Sequence, residues 1–457
     1  MKRRDFFTNA IITGGALTLG LQCKRRIDLK EKEISEQAAS ASQDKKFVLE
    51  PQREIPVFSE TDVLVIGGGP AGITAAIAAA RTGADTWLIE RYNHLGGLWT
   101  GGIVLPLYST HGIDTNKKQV QVMYGLGNEI WQELRKVGGS IYEVDPVIDP
   151  EAGKYVMERM VVDSGVKILY HTLATNVLMD GNLIKGVFIE NKSGRSVIMA
   201  KVVVDCTGDG DIFHLAGDDY INIKGAVGMV HRLGNCDKID TSKPGFQKYD
   251  RLIGKEGKLS IGRETPAPGV YWNNMHGIDD QDGIDAMNLS RLQIDFRKKI
   301  WENYQAIKKT PGYEQVFLLD TASQIGVRIS RIIEGEYKLT LEDSMTYKQF
   351  NDVIGISGSW TTILYKGQRI TKMERPLWQI PYRSLVPKRT DNLLVGGRCF
   401  CFEEALLEDA RIIATCLITG QGAGTAAGLA VKENQIPRNI NIEKLKKELI
   451  NQGVYLG

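Results

Sequence analysis

Two rhythms of apolar and polar residues alternate along this chain, and the changes between them mark its elements. Residues 62–66 (DVLVI) form a short apolar run, as expected of a buried parallel strand. Residues 73–81 (ITAAIAAAR) are alanine-rich and predict a helix, and a second strand follows that ends in Glu90. Over 167–205 the pattern becomes strands broken at Asp180-Gly181-Asn182 and Lys192-Ser193-Gly194, which predicts a β-meander. The meander ends in an apolar strand at 201–205 and runs into the glycine-rich segment 206–210 (CTGDG). Residues 288–308 predict an amphipathic helix with Leu292, Phe296, Ile300 and Tyr304 on one face, a pattern explained by packing alone. Residues 391–397 (DNLLVGG) predict another buried strand closing on paired glycines. Residues 412–432 predict a helix rich in small residues. Its Gly420, Gly422, Gly424 and Gly428 each cost about 1 kcal/mol against alanine. A helix carrying that cost needs a close backbone approach, to a second helix or to a bound group.

The turn between the first strand and helix contains Gly67, Gly69 and Gly72 in the G-x-G-x-x-G spacing. The first glycine permits a tight turn, the second lets a diphosphate approach the backbone, and the third lets helix and strand pack closely. The helix N-terminus then offers free N–H groups and the positive end of its dipole. Glu90 stands where an acid can bind ribose hydroxyls. With strand before, helix after and acid at this distance, the motif predicts a dinucleotide site. A second glycine turn follows the acid, in Leu95-Gly96-Gly97 and Thr100-Gly101-Gly102. It points to a ligand that continues along the protein, as FAD does, rather than to a nicotinamide dinucleotide.

These parts, in this order, resemble the glutathione-reductase-type FAD fold, and more closely the bacterial FAD-dependent oxidoreductase family, distantly related to the flavoprotein subunit of heterodisulfide reductase. The likeness rests on 67–72, Glu90-Arg91, 95–97 with Thr100, 205–211 (DCTGDGD), 324–337 (QIGVRISRIIEGEY), 380–387 (IPYRSLVP), 391–398 (DNLLVGGR) and 415–427 (TCLITGQGAGTAA). It runs from about 62 to about 434. The resemblance implies an α/β fold: a Rossmann-like FAD-binding domain with an inserted β-meander and an α+β substrate or cap domain. It implies FAD contacts from Gly67, Gly69, Pro70, Ala71, Gly72, Glu90, Arg91, Gly96, Gly97, Thr100, Ala174, Thr207, Gly208, Gly397, Arg398, Gly420 and Gln421. The expected division is an export signal and polar linker at 1–52, an FAD-binding domain at 57–217 and 384–434, a cap inserted at 218–383, and a tail at 435–457.

The net charge of +2 leaves no basic excess to neutralise nucleic-acid phosphates, so a nucleic-acid binder is not expected. The six cysteines, Cys23, Cys206, Cys236, Cys399, Cys401 and Cys416, contain no C-x-x-C, so no metal or iron–sulfur cluster is expected. The Cys399-Phe400-Cys401 pair reads as buried thiols. At the N-terminus Lys2-Arg3-Arg4 precedes Phe6-Phe7 and an apolar stretch at 10–21, a pattern that predicts a twin-arginine export signal and a periplasmic address. Cys23 is a candidate lipid anchor. The polar residues 24–52 read as a flexible tether.

A flavin does the redox chemistry, and the protein supplies orientation, electrostatics and a proton carrier. His111, in the segment after the second glycine turn, is the candidate base. Arg328, Arg331, Tyr382 and Arg383 fall in the two family motifs that bracket the cap. They are candidates for substrate contact, because arginine clamps carboxylate or phosphate bidentately. Ion pairing of these arginines with Glu334, Glu336 or Asp343 is the structural alternative. Family members often carry a histidine after the G-R-C turn. Here 399–405 (CFCFEEA) has none, and Glu403 or Glu404 would have to take its place. The expectation is an exported FAD-dependent oxidoreductase moving hydride between a small organic substrate and flavin, reoxidised by a quinone, a periplasmic carrier or oxygen. The alternatives are a flavin-dependent reductase of an unsaturated substrate and a non-catalytic flavin electron carrier.

Overall fold

Four parallel strands end side by side, and their carboxyl ends open into one crevice. The computed structural model describes residues 48–114, 116–249, 260–274, 277–359 and 361–457; the expected export signal and Cys23 lie outside the described residues. Residues 48–54 belong to a separate unit and carry no regular structure there; every element below lies in the unit Ile55–Gly457.

Strand β1 (Val57–Ile66) is followed by helix α1 (Pro70–Arg81) and strand β2 (Thr86–Ile89). Further along come β3 (Lys167–Leu169), β4 (Leu173–Asp180), β5 (Leu183–Asn191), β6 (Gly194–Asp205) and β7 (Leu393–Val395). They form one sheet in the order β3-β2-β1-β6-β5-β4, with β7 also pairing β6. The pairs β1–β6, β1–β2, β2–β3 and β6–β7 are parallel and β4–β5–β6 is an antiparallel meander; the meander predicted over 167–205 therefore starts too early, because β3 joins β2 in parallel instead. The apolar run 62–66 predicted only the last half of β1. The first half is polar, and it becomes strand because Val57 to Thr61 pair with Val197 to Ala200 of the long β6.

β6 changes neighbour along its length, pairing β5 over Gly194–Met199 and β7 over Val203–Asp205. Asn392 holds the divergence. Its Nδ2 donates to the carbonyls of Ile184 (2.8 Å) and Lys201 (2.9 Å), and its Oδ1 accepts from Ile184 N–H (2.8 Å). A buried amide with three bonds spans backbone groups that no ladder satisfies there.

Helix α2 (Ile413–Lys432) packs along α1, and its glycines are the contact. A Cβ on Gly420 would stand 2.1 Å from the Ala71 carbonyl oxygen, on Gly424 2.0 Å from that of Ala75, and on Gly428 2.6 Å from Thr82 Cβ. The i, i+4, i+8 spacing puts all three on one face. Gly422 serves the other side, where its Cβ would meet Ile354 in the strand Val353–Ser357. The sequence left open whether these glycines admit a helix or a cofactor, and the structure answers helix.

The second layer centres on the strand Val230–Gly234, flanked by Tyr271–Asn274 and Phe317–Thr321. The helix Ala286–Lys308 buries Leu292, Phe296, Ile300 and Tyr304, as its periodicity predicts. It begins two residues earlier than predicted because the Asp285 carboxylate accepts from the N–H groups of Met287 and Asn288.

Candidate functional site

The first glycine loop is built as the motif predicts. Gly67 has φ +99°, and a Cβ there would lie 2.4 Å from the Cys206 carbonyl oxygen at the end of β6. A Cβ on Gly72 would be 1.7 Å from the Gly67 carbonyl oxygen, so only glycine lets α1 start this close to β1. Gly69 differs from both. Nothing lies within 4 Å of its Cβ position, so its face opens into the crevice. Gly69 is also the N-cap of α1, supplies no side-chain cap, and no acid occupies the first turn. The N–H groups of that turn face the crevice with the helix dipole behind them.

The second glycine turn folds back over the first. Gly96 N–H donates to the Gly68 carbonyl at 2.8 Å, and a Cβ on Gly97 would be 3.0 Å from Gly69 Cα. Glu90 closes the loop: its carboxylate accepts from Gly68 N–H (2.6 Å) and Tyr92 N–H (2.8 Å). Each oxygen retains a lone pair toward the crevice, which Glu90 lines.

The crevice is a cavity of about 450 Å³. Gly67, Gly69, Pro70, Ala71, Glu90, Arg91, Gly97, Thr207, Gly208, Gly397, Arg398 and Arg331 of the predicted residues line it. Four strand ends therefore contribute to one wall, as ligand crevices of open α/β sheets do. The remaining predicted contacts stand behind that wall. Thr100 Oγ1 donates to the Leu95 carbonyl at 2.5 Å and closes the second turn. Gln421 accepts from Leu126 N–H at 2.9 Å and ties α2 to the helix Gly125–Lys136. Gly72, Gly96 and Gly420 shape backbone contacts, and Ala174 pairs with Ile189 in the meander.

Asp205 is fully buried and accepts from Thr207 N–H, Thr207 Oγ1, Ile212 N–H and Phe213 N–H, which holds 206–213 beneath the cavity. Burial pushes its carboxyl up to about 6. Asp209 is placed by three partners: Ser330 Oγ (2.6 Å), Arg398 Nη2 (2.7 Å) and, on its carbonyl, Arg331 Nη1 (2.9 Å). Burial alone would raise Asp209, but the guanidinium of Arg398 and the Ser330 hydroxyl hold it below the ordinary carboxylate range.

A second chamber, of about 370 Å³, adjoins the first and shares Leu98, Val327, Arg398, Arg411 and Ile413 with it. Its own walls come from Val104, Pro106, Tyr108, Val230, Trp272 and Arg328. Tyr108 is the one titratable group there, among the described residues, that is not a guanidinium. Burial raises its hydroxyl above the usual phenol value, against the pull of Arg263, which donates to it at 3.2 Å.

The candidate base His111 and the candidate substrate contacts Tyr382 and Arg383 line neither chamber. His111 lies in a separate hollow with Asp145 and Lys372, its Nδ1 bonded to Thr110 Oγ1 at 3.0 Å. Tyr382 is buried and donates to the Pro437 carbonyl at 2.9 Å. Arg383 forks onto Asp352, with Nε–Oδ2 at 2.9 Å, outside both chambers. Glu403 accepts from Leu341 N–H and caps a short helix there. The thiols of Cys399 and Cys401 are buried, as expected. Arg411 and Tyr108 went unrecognised in the sequence. Arg411 did leave a signal, since a cation directly before an apolar helix opposes that helix's dipole and marks a local conflict.

Comparison with known proteins agrees with the crevice. The family model described as FAD dependent oxidoreductase matches residues 62–449. The thiamine thiazole synthase of Methanococcus vannielii is 31% identical over 160 residues, 33% of this chain and 56% of that protein. That of Methanococcus maripaludis is 30% identical over 226 residues, 46% of this chain and 74% of that protein. The chain thus spans between 56% and 74% of the length of these two relatives. Among solved structures, a geranylgeranyl bacteriochlorophyll reductase-like protein of Thermoplasma acidophilum is 15% identical, with TM-score 0.42, covering 87% of this chain and 84% of that one. The p-nitrophenol 4-monooxygenase PnpA of Pseudomonas putida is 11% identical, with TM-score 0.43, covering 86% and 84%.

Proposed function

We propose that this chain, which belongs to the FAD dependent oxidoreductase family, moves hydride between FAD and a small organic substrate held in the second chamber. It is an FAD-dependent oxidoreductase with a Rossmann-like fold. The open Gly69 face, the uncapped start of α1 and the shared crevice fit the cofactor: Gly67 to Ala71 would hold its diphosphate, Glu90 its ribose, and Thr207, Gly208, Gly397 and Arg398 its further length. When bound, FAD supplies the two-electron chemistry. The observation that carries the reading is the adjacency of the two chambers, which share Leu98, Val327, Arg398, Arg411 and Ile413 as lining. A ligand on the glycine loop and one in the second chamber meet there.

What the chain's own residues add is orientation and a proton. Among the described residues the second chamber holds no histidine and no carboxylate, but it holds Tyr108 as a neutral acid. That observation favours the second reading, reduction of an unsaturated substrate, in which Tyr108 gives a proton to the carbon next to the one receiving hydride. Anaerobic exposure of the yellow protein to alcohols, hydroxy acids and sugars, and of the chemically reduced protein to unsaturated acids, separates the directions. Bleaching by one class of donor supports dehydrogenation. Reoxidation by an unsaturated acid supports reduction. Neither response leaves the flavin electron carrier.

The kinship with the heterodisulfide-reductase-related bacterial branch belongs to the same proposal, on the motifs at 205–211, 324–337 and 391–398. So does export, supported by Arg3-Arg4, Phe6 and the apolar stretch 10–21, with Cys23 as a candidate lipid anchor and a quinone, a periplasmic carrier or oxygen as electron partner. Cell fractionation of the Arg3→Lys, Arg4→Lys double variant tests it: export is expected to stop, and undiminished export contradicts it. The thiazole-forming activity named in the relatives is not carried over, because more than half of this chain lies outside those matches.

A further inference from the structure

We propose that the second chamber is an acid site: it takes an organic monocarboxylate whose carboxylate sits on Arg328 and whose apolar body lies against the surrounding wall. This rests on the reading above that the chamber receives the substrate.

The charge on the chamber wall is one-sided. Arg263, Arg328, Arg398 and Arg411 line it, and no aspartate or glutamate does among the described residues. Three of these four are already engaged. Arg398 pairs with Asp209, Arg411 with Glu408, and Arg263 donates to Tyr108. The guanidinium of Arg328 has no hydrogen-bond or ion-pair partner among the described residues. It is half-buried, and burial, then the neighbouring Arg411, pull it below the ordinary arginine value. A partly desolvated cation beside a second cation is costly until an anion joins it.

Apart from Tyr108 and Asn274, the uncharged wall, with Val104, Pro106, Val230 and Ile412, is apolar. One unpaired cation suits one negative charge. A bidentate carboxylate on Arg328 with an apolar tail on the wall matches the unpaired guanidinium and the apolar lining.

The test titrates the purified protein with benzoate and hexanoate, and with benzamide and hexanamide as neutral isosteres. Binding is read by the flavin absorbance change and, independently, by calorimetry. The acids are expected to bind at least about tenfold more tightly than their amides. Arg328→Gln is expected to abolish that preference with flavin content unchanged, and Arg328→Lys to retain part of it. Equal affinity of acids and amides overturns the proposal, as does a preference that survives Arg328→Gln. Tighter binding of phenyl phosphate than of benzoate overturns it in favour of a phosphate ester. A colourless preparation would sink the flavin reading, while calorimetry still decides the acid site.

Discussion

Tyr108 and His231 show how burial sets the chemistry of single residues in this chain. Tyr108 is protonated at physiological pH as any phenol is, burial raises its hydroxyl further, and it lies in the chamber shared with Arg328. Replacing it by phenylalanine removes the proton and little volume. Tyr108→Phe is therefore expected to slow reoxidation of the reduced protein by an unsaturated acid by about a hundredfold, with flavin content unchanged. Stopped-flow absorbance reads this, and an unchanged rate would remove Tyr108 from the reaction. His231, in the middle strand of the second layer, is 3% exposed and its Nδ1 has no partner. Burial pushes it down to about 4, against a weaker upward pull from Asp320. The unfolded chain then binds a proton between about 6.5 and 4 that the folded chain refuses, so stability falls as pH falls through that window. Between pH 7 and 5 this group alone should cost about 2 kcal/mol. Urea unfolding of His231→Phe against the native chain at both pH values checks it; an identical pH slope in the two would contradict it.

The pairing of α1 with α2 separates packing from propensity at the scale of an element. Alanine in place of Gly424 would add about 1 kcal/mol if helix propensity decided the outcome. The Cβ would, however, stand 2.0 Å from the Ala75 carbonyl oxygen, and α1 cannot retreat without opening the glycine loop. We expect Gly424→Ala to destabilise the fold by about 1–3 kcal/mol. Thermal unfolding reads the sign directly, and a gain in melting temperature would refute the packing role. This pair also shows what the sequence made legible. Glycines at 420, 424 and 428 announced a close approach, but not its partner, because a cofactor and a helix impose the same absence of side chain. The parallel strands and the meander were legible because apolar runs and turn residues are local signals. The first half of β1 was not, since its strand state comes from β6, more than 130 residues away in the chain. Tyr382 and Arg383 misled for a related reason. In this chain Tyr382 bonds Pro437 and Arg383 bonds Asp352, and a motif does not say which way its side chains turn.

At the scale of the whole molecule, one construction principle unites the site. Four parallel strands from distant parts of the chain end together, and the glycines after β1, β6 and β7 leave backbone facing the crevice while Glu90 and Arg91 enter it after β2. The second layer then closes a mostly apolar chamber against its far end, and Arg398 and Arg411 stand where the two cavities meet. On the reading proposed above, the glycine loops meet the cofactor's diphosphate with backbone, Glu90 and Arg398 meet the cofactor with side chains, and the second chamber meets the substrate with side chains. Variation in the second layer can therefore change the substrate without disturbing the flavin site.

The flavin-to-protein ratio of purified Gly69→Asp, set beside that of the native chain, tests this account most directly. Gly69 has ordinary negative φ, its Cβ would meet nothing within 4 Å, and aspartate is a better helix N-cap than glycine, so the variant should fold at least as stably. Its carboxylate would nevertheless stand where the cofactor's diphosphate must lie. The account predicts a yellow native protein carrying about one FAD per chain and a folded, colourless Gly69→Asp variant. A variant that keeps its full flavin complement would contradict it.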